Sequence, residues 1–186
     1  IDRLITDISN ASRLDAELAR AKAEPVDLVT LLREMVDFYG ELRREGEAEV
    51  VFTAAAPHVL VTGAEAPLGR VFRNLIDNAK TFSPPGGTVR VAVSNHVGPD
   101  VGPGARVTID DDGPGVPEEN REQIFERFYT ERPKGAAFGS HSGLGLAIAR
   151  QIVVAHGGRI FAENRRDADG AVVGARFVVE LPEQRS

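Results

Sequence analysis

Apolar spacing along the chain switches repeatedly between the three-to-four-residue period of an amphipathic helix and the two-residue period of a half-buried strand. Leu28, Leu31, Leu32, Met35, Val36 and Tyr39 share one helical face over about residues 28–44, and Gly46 closes that segment. Two strand-like runs follow, EVVFTA and HVLVTG, and then a helix over about 65–82. SPPGG marks a turn, TVRVAVSN alternates as a strand, VGPDVGPG reads as a loop and ARVTID as another strand. Ile124, Phe125 and Phe128 share a face, which predicts a short helix over 118–129, whereas the Gly- and charge-rich stretch 130–142 has no apolar period and is expected to be a mobile loop. GLGLAIARQIVVAHGG reads as a helix entered through glycines and closed by Gly157 and Gly158, and RIFAEN and GARFVVELP supply two last strands. Elements interleaved without a regular strand–helix–strand rhythm predict an α+β fold, a mixed sheet covered on one face by helices.

The first 24 residues stand apart. Leu4, Ile8, Ala11, Leu14, Leu18 and Ala21 form one narrow apolar seam, and Pro25 is expected to end the helix. Such a helix cannot bury its seam on itself, so it either pairs with a second helix or lies along its own domain. Residues 25–186 are enough for one domain with its own core.

Composition narrows the chemistry. With no cysteine, disulfides and thiolate metal sites are excluded, and His58, His96, His141 and His156 fall in no paired zinc spacing. No apolar run approaches a membrane span, and no signal peptide opens the chain, so this piece reads as soluble. The net charge of −6 argues against a nucleic-acid binder, although a few local donors can hold a small phosphate-bearing ligand.

Three constellations carry chemistry. In RNLIDNAKTFSP, Asn74 and Asn78 are four apart and project from one helical face. That face is either solvated or supplies an amide oxygen to a hard cation such as Mg²⁺. In VTIDDDGPGVP a strand ends in three acids and turns through Gly113, Pro114 and Gly115, where an acid can accept an adenine amine or simply decorate a turn. In HSGLGLAIAR, glycines precede a helix whose first N–H groups favour phosphate, yet Gly143 and Gly145 serve equally for tight packing.

Taken in order, the three resemble the GHKL ATPase superfamily and, within it, the sensor histidine kinases. RNLIDNAKTFSP is similar to their N box, DDGPGVP to the first glycine box, IFERFY to the F box and HSGLGL to the second glycine box. LITDISNASRLDAEL resembles the second helix of the dimerisation and phosphotransfer hairpin, and PVDLVTLLREMV the opening of the catalytic domain, which separates kinases from gyrase, chaperone and mismatch-repair members. The pattern further resembles alphaproteobacterial envelope- and acid-sensing transmembrane kinases. The resemblance covers essentially the whole chain. It implies residues 1–24 as the tail of the hairpin, a partial coiled-coil helix. Residues 25–186 become a Bergerat-type α/β sandwich, a mostly antiparallel sheet covered on one face by about three helices.

By that resemblance Asn78 is the principal Mg²⁺ ligand, Asn74 sits beside the phosphates, and the two form the catalytic pair. Asp111 holds the adenine, with Phe82 against the base. Gly113, Gly115, Val116, Gly143, Leu144, Gly145 and Leu146 shape the pocket. Phe125, Phe128, Arg132, Lys134, His141 and Ser142 belong to its ATP-binding surround, and residues 117–142 form the ATP lid. The implied ligands are ATP or ADP with Mg²⁺. The implied partners are a histidine-bearing hairpin of the same or a partner subunit, a response-regulator receiver domain and, in the full-length protein, a second copy. Nucleic acid is not expected. The implied location is a cytoplasmic domain of an inner-membrane protein.

The sequence also departs from the family. No histidine stands in a His-Glu/Asp-x-Lys/Arg-x-Pro setting, so the phosphoacceptor is expected on an upstream helix outside this chain. Thr81 occupies the place of a common N-box lysine, with Lys80 one residue early, which turns its side chain by about 100°. Thr130 replaces an arginine after the F box, for which Arg132 or Lys134 can substitute, and His141 fills the first glycine of the second glycine box. These departures keep two other readings open, a degenerate nucleotide-binding regulatory domain and a non-kinase GHKL ATPase.

Overall fold

The architecture comes from a computed structural model in which residues 12–127 and 144–183 are described. From Glu24 onward, among the described residues, seven strands and three α-helices follow in the order β1 (Glu24–Asp27), α1 (Leu28–Leu42), β2 (Glu49–Ala54), β3 (Leu60–Gly63), α2 (Glu65–Phe82), β4 (Thr88–Gly98), β5 (Gly102–Asp110), α3 (Gly145–Ala155), β6 (Arg159–Arg166) and β7 (Val172–Pro182). The main sheet has the order β2-β4-β5-β7-β6, with β2 parallel to β4 and every other pair antiparallel. This is the mixed, mostly antiparallel α+β arrangement expected from the sequence.

Strand alternation gives the sheet one apolar face. Val89, Val91, Val93, Ala105, Val107, Ile109, Phe177, Val179 and Leu181 are buried in one core with Leu32, Leu68, Phe72, Leu75, Ile76, Ala149 and Ile152 of the helices. The alternate residues form a charged row across four strands, Arg90 opposite Asp110, Asp110 opposite Arg176, and Arg176 opposite Glu163. Opposite charges at directly facing positions are a favourable sheet pairing. Helix α1 starts at Asp27, whose Oδ1 accepts the Val29 amide at 3.1 Å and the Val59 amide at 3.3 Å.

Several expectations change. The stretch VGPDVGPG is not a loop, because β4 runs to Gly98 and β5 begins at Gly102, with Gly98 facing Gly102 across a tight hairpin. The expected helix over 118–129 is replaced by two 3-10 turns, Glu118–Asn120 and Gln123–Phe125. A segment this short, with two buried residues, does not offset the cost of nucleating an α-helix. Pro25 lies in a short strand, β1, paired antiparallel with β3. It is tolerated there because that two-stranded sheet consists only of edges. The described helical residues before it are 12–20. They lie along their own domain: Leu14 is buried in the common core, Leu18 packs against it, and Gln151 of α3 donates to Asp15. Leu4, Ile8, Ala11 and the expected loop 130–142 lie outside the described residues. Among the described residues no helix is long and apolar enough to cross a membrane.

Candidate functional site

The three acids at the end of β5 have three different jobs. Asp110 accepts two hydrogen bonds from the Arg176 guanidinium, at 2.7 and 2.8 Å. Asp112 pairs with Arg90 at 3.0 Å and Arg165 at 3.2 Å and accepts the Thr88 amide at 3.1 Å. Asp111, on the other side of the chain, is 1% exposed and sits at the end of the apolar face. Its Oδ1 accepts the Gly113 amide at 2.9 Å and the Ala175 amide at 3.1 Å. Its Oδ2 accepts no hydrogen bond from the described residues.

The electrostatics follow the geometry. Burial pushes the Asp111 carboxyl above the usual carboxylate range, against the opposing pull of the Ala175 and Gly113 amides and Arg165. Burial acts on Asp112 in the same sense, but Arg90, the Thr88 amide and Arg165 together hold it below that range. Asp111 is therefore a buried acceptor with one oxygen uncommitted, and such an atom recognises a donor brought to it.

Helix α2 forms because Leu68, Phe72, Leu75, Ile76 and Ala79 bury one stripe at three-to-four spacing. That burial aligns Asn74, Asn78 and Phe82, each four residues from the next, along one half-buried edge about 12 Å long. At one end Asn74 Nδ2 donates to the Gly145 carbonyl at 3.0 Å, where α3 begins. At the other end the Phe82 carbonyl lies against Gly113, and a Cβ on that glycine would stand 2.6 Å from it. The edge thus connects the start of α3 with the Asp111 turn.

Leu144 caps α3 without a side-chain hydrogen bond and no acid stands in the first turn, and the first N–H groups and positive dipole end of such a helix suit an anion. A Cβ on Gly145 would make only ordinary contact with Asn74, at 3.9 Å, so no tight protein packing requires glycine there among the described residues. Gly115 has φ of 82°, and its Cβ would stand 2.6 Å from Asn164 Oδ1, so here glycine is needed. Val116 and Leu146 are half-buried against the core. Phe125 is 5% exposed and meets Phe177 edge-on at 6.2 Å, which commits its ring to the core. Phe128, Thr130, Arg132, Lys134, His141, Ser142 and Gly143 lie outside the described residues.

Lys80 turns toward α1, its Nζ 5.2 Å over the Tyr39 ring and 3.8 Å from Glu47. This is the consequence of the one-residue shift expected from the sequence. Thr81 bonds back to the Asp77 carbonyl at 3.0 Å. His156 is a structural histidine: Nδ1 donates to the Ile152 carbonyl at 2.7 Å and Nε2 accepts the Ala64 amide at 3.1 Å, which fixes a neutral tautomer.

Sequence reasoning missed Asn164 and Arg165. Asn164 makes two bonds to the backbone of Val116, accepting its amide at 2.7 Å and donating to its carbonyl at 2.8 Å. Arg165 Nη1 donates to the Asp111 carbonyl at 2.6 Å. The available signal was a polar Asn at an inward register of β6, opposite Ala175.

Residues 63–185 match the family model described as histidine kinase-, DNA gyrase B-, and HSP90-like ATPase. The sensor protein ChvG of Agrobacterium fabrum (strain C58 / ATCC 33970) is 43% identical over 189 residues, covering 98% of this chain and 31% of ChvG. A solved structure of the mycobacterial sensor histidine kinase MprB is 31% identical with a TM-score of 0.69, covering 89% of this chain and 100% of that one. A structure of full-length ShkA in complex with AMPPNP is 26% identical with a TM-score of 0.75, covering 99% of this chain and 36% of that one. The chain spans about a third of the length of the curated relatives it matches.

Proposed function

The chain belongs to the histidine kinase-, DNA gyrase B- and HSP90-like ATPase family, as the ATP-binding catalytic domain of a sensor histidine kinase, and on that premise we propose that it presents Mg·ATP to a histidine on an upstream helix. The observation that carries this reading is the edge of α2 running from the start of α3 to the Asp111 carboxylate, whose Oδ2 accepts no hydrogen bond from the described residues.

Asp111 Oδ2 accepts the exocyclic amine of adenine, Phe82 lies against the base, and Gly113 lets the base approach the backbone. The triphosphate extends along α2 toward Asn74 and the first amides of α3. Asn78 fits a magnesium ion, because its amide oxygen is a hard donor midway along that edge, shared with phosphate oxygens as such ions require. The ion supplies charge neutralisation of the phosphates when bound. The chain's own residues bind and orient the nucleotide so that its terminal phosphoryl group faces outward, and the 117–142 lid excludes water around it.

In the whole protein the phosphoryl group moves to the histidine nitrogen and then to an aspartate of a response-regulator receiver domain. The hairpin supplies the dimer, and this chain is the cytoplasmic domain of an inner-membrane receptor. Support comes from relatives named as sensor kinases. Lys80, drawn to Tyr39 and Glu47, favours a second reading as a regulatory domain that binds nucleotide without transferring phosphate.

The test joins this chain to a histidine-bearing hairpin and adds γ-labelled ATP with Mg²⁺. Acid-labile label on the histidine is expected. Nucleotide binding with no label would favour the regulatory reading, and ATP turnover without a histidine substrate would favour a plain ATPase.

A further inference from the structure

We propose that Asn164 and Arg165 of β6 are positioning residues that set adenine selectivity through the backbone of the Asp111–Val116 turn. The inference rests on the adenine role proposed for Asp111.

The turn has little to hold itself. Residues 111–117 form neither strand nor helix, Pro114 and Pro117 have no N–H to donate, and Gly115 is left-handed at φ 82°. Besides the bonds of Thr88 and Arg90 to Asp112 and of Gly113 to Asp111, its fixed points come from β7 and β6. The Asp111 amide donates to the Ala175 carbonyl at 3.0 Å, and the Asp111 side chain takes the Ala175 amide in return. Strand alternation then puts Asn164 and Arg165 on opposite faces of β6. Asn164 faces inward, and its amide serves Val116 as a neighbouring strand's peptide group would, accepting and donating at 2.7 and 2.8 Å. Arg165 faces outward, holds the Asp111 carbonyl at 2.6 Å and lies between the carboxylates of Asp110, at 3.5 Å, and Asp112, at 3.2 Å. The turn is clamped from both faces.

Two glycines make room for the clamp. A Cβ on Gly115 would stand 2.6 Å from Asn164 Oδ1, and one on Gly174 would collide with the Asp111 carbonyl and stand 3.0 Å from Arg165 Nη1. The two side chains and the two gaps are complementary. An ordinary surface ion pair would engage only the carboxylates of the acid run and contribute little. Arg165 instead holds the main chain of the one acid whose Oδ2 is uncommitted, so its loss moves that oxygen. Displacement of a recognition atom by an ångström is felt most by the ligand group that must hydrogen-bond to it.

The experiment titrates the chain with ADP and with inosine diphosphate, which lacks the exocyclic amine, by calorimetry at fixed Mg²⁺ and salt. Parent, Asn164→Ala, Arg165→Met and Arg90→Met are compared, with melting curves for each. Asn164→Ala and Arg165→Met should each weaken ADP roughly tenfold, the scale of one lost hydrogen bond. Inosine diphosphate should change less than about twofold under the same argument, so selectivity collapses. Arg90→Met removes an arginine from the same acid run without touching the Asp111 backbone, and it should leave the ratio intact. Equal losses for both nucleotides, or an unchanged ratio, would overturn the proposal. A parent that does not distinguish the two nucleotides would overturn the adenine reading and this inference with it. If a variant does not fold, Asn164→Ser and Arg165→Lys retain part of each contact and must give an intermediate ratio.

Discussion

Asp111→Asn changes the hydrogen-bonding sense of one atom and almost no volume. The retained Oδ1 can still accept from Gly113 and Ala175, at 2.9 and 3.1 Å in the parent, so the scaffold of the turn should persist. The second position changes from an acceptor to an NH₂ donor, which in the proposed complex would face the adenine amine, also a donor. Losing a hydrogen bond to a charged acceptor costs about 1.5–3 kcal/mol, and leaving a buried donor unpaired adds about 1 kcal/mol. The sum of about 3 kcal/mol corresponds to a Kd raised by about a hundredfold or more. The unliganded protein should respond differently. Burial disfavours the charged carboxylate here, so the amide should melt at the same temperature as the parent or slightly higher near neutral pH. Calorimetric titration with Mg·ADP and a melting curve on the same sample separate the two effects. Undiminished affinity would refute the adenine assignment, and loss of affinity together with loss of fold would mean that Asp111 is only a structural acid.

Acidification tests the same group with no mutation. Because the Asp111 carboxyl lies above the usual range, ADP affinity should begin to fall at a higher pH than the roughly 3.9 of an ordinary aspartate would dictate. Titrations from neutral pH downward should show parent and Asp111→Asn converging. The stability sign is opposite: a raised carboxyl contributes stability present below its unfolded pKa and lost as pH rises through its folded one, so the parent should gain on Asp111→Asn in melting temperature as pH falls. Gly115→Ala forces a Cβ into a left-handed position 2.6 Å from Asn164 Oδ1. It should cost at least about 1–2 kcal/mol in denaturant unfolding. His156→Leu should cost about 1–3 kcal/mol by leaving the part-buried Ala64 amide unpaired, while the Ile152 carbonyl keeps the backbone amide of residue 156. The Ala64 amide is away from the Asp111 turn, so ADP affinity in the folded fraction should hold.

Local pattern was enough to find the helices and most strands, since each buries a stripe or a face whose period is written along the chain. It failed where partners at long range decide. VGPDVGPG looks like a loop from its Gly and Pro, yet Gly104 is where β5 passes so close to β7 that a Cβ would collide with the Leu181 carbonyl. The 118–129 segment has a helical apolar spacing but too few residues to nucleate, and Phe125 is held by Phe177 instead. Among the acids, register relative to Gly113 and Gly115 pointed to Asp111, and what sets its carboxylate apart from its two neighbours lies 53 and 66 residues beyond those neighbours. Arg176 and Arg165 occupy Asp110 and Asp112 and leave Asp111 one oxygen to give. Asn164 and Arg165 were invisible because their task is to hold another segment's backbone, which no local spacing records.

The proposed nucleotide orientation puts adenine at Asp111 and the phosphates along α2 toward the start of α3. A crystal structure of this chain with Mg·ADP measures it directly. The exocyclic amine is expected within hydrogen-bond distance of Asp111 Oδ2, and the phosphates beside Asn74 and the first amides of α3 with Asn78 on the metal. A base seated elsewhere, or a reversed nucleotide with phosphate against the acid run, would contradict it.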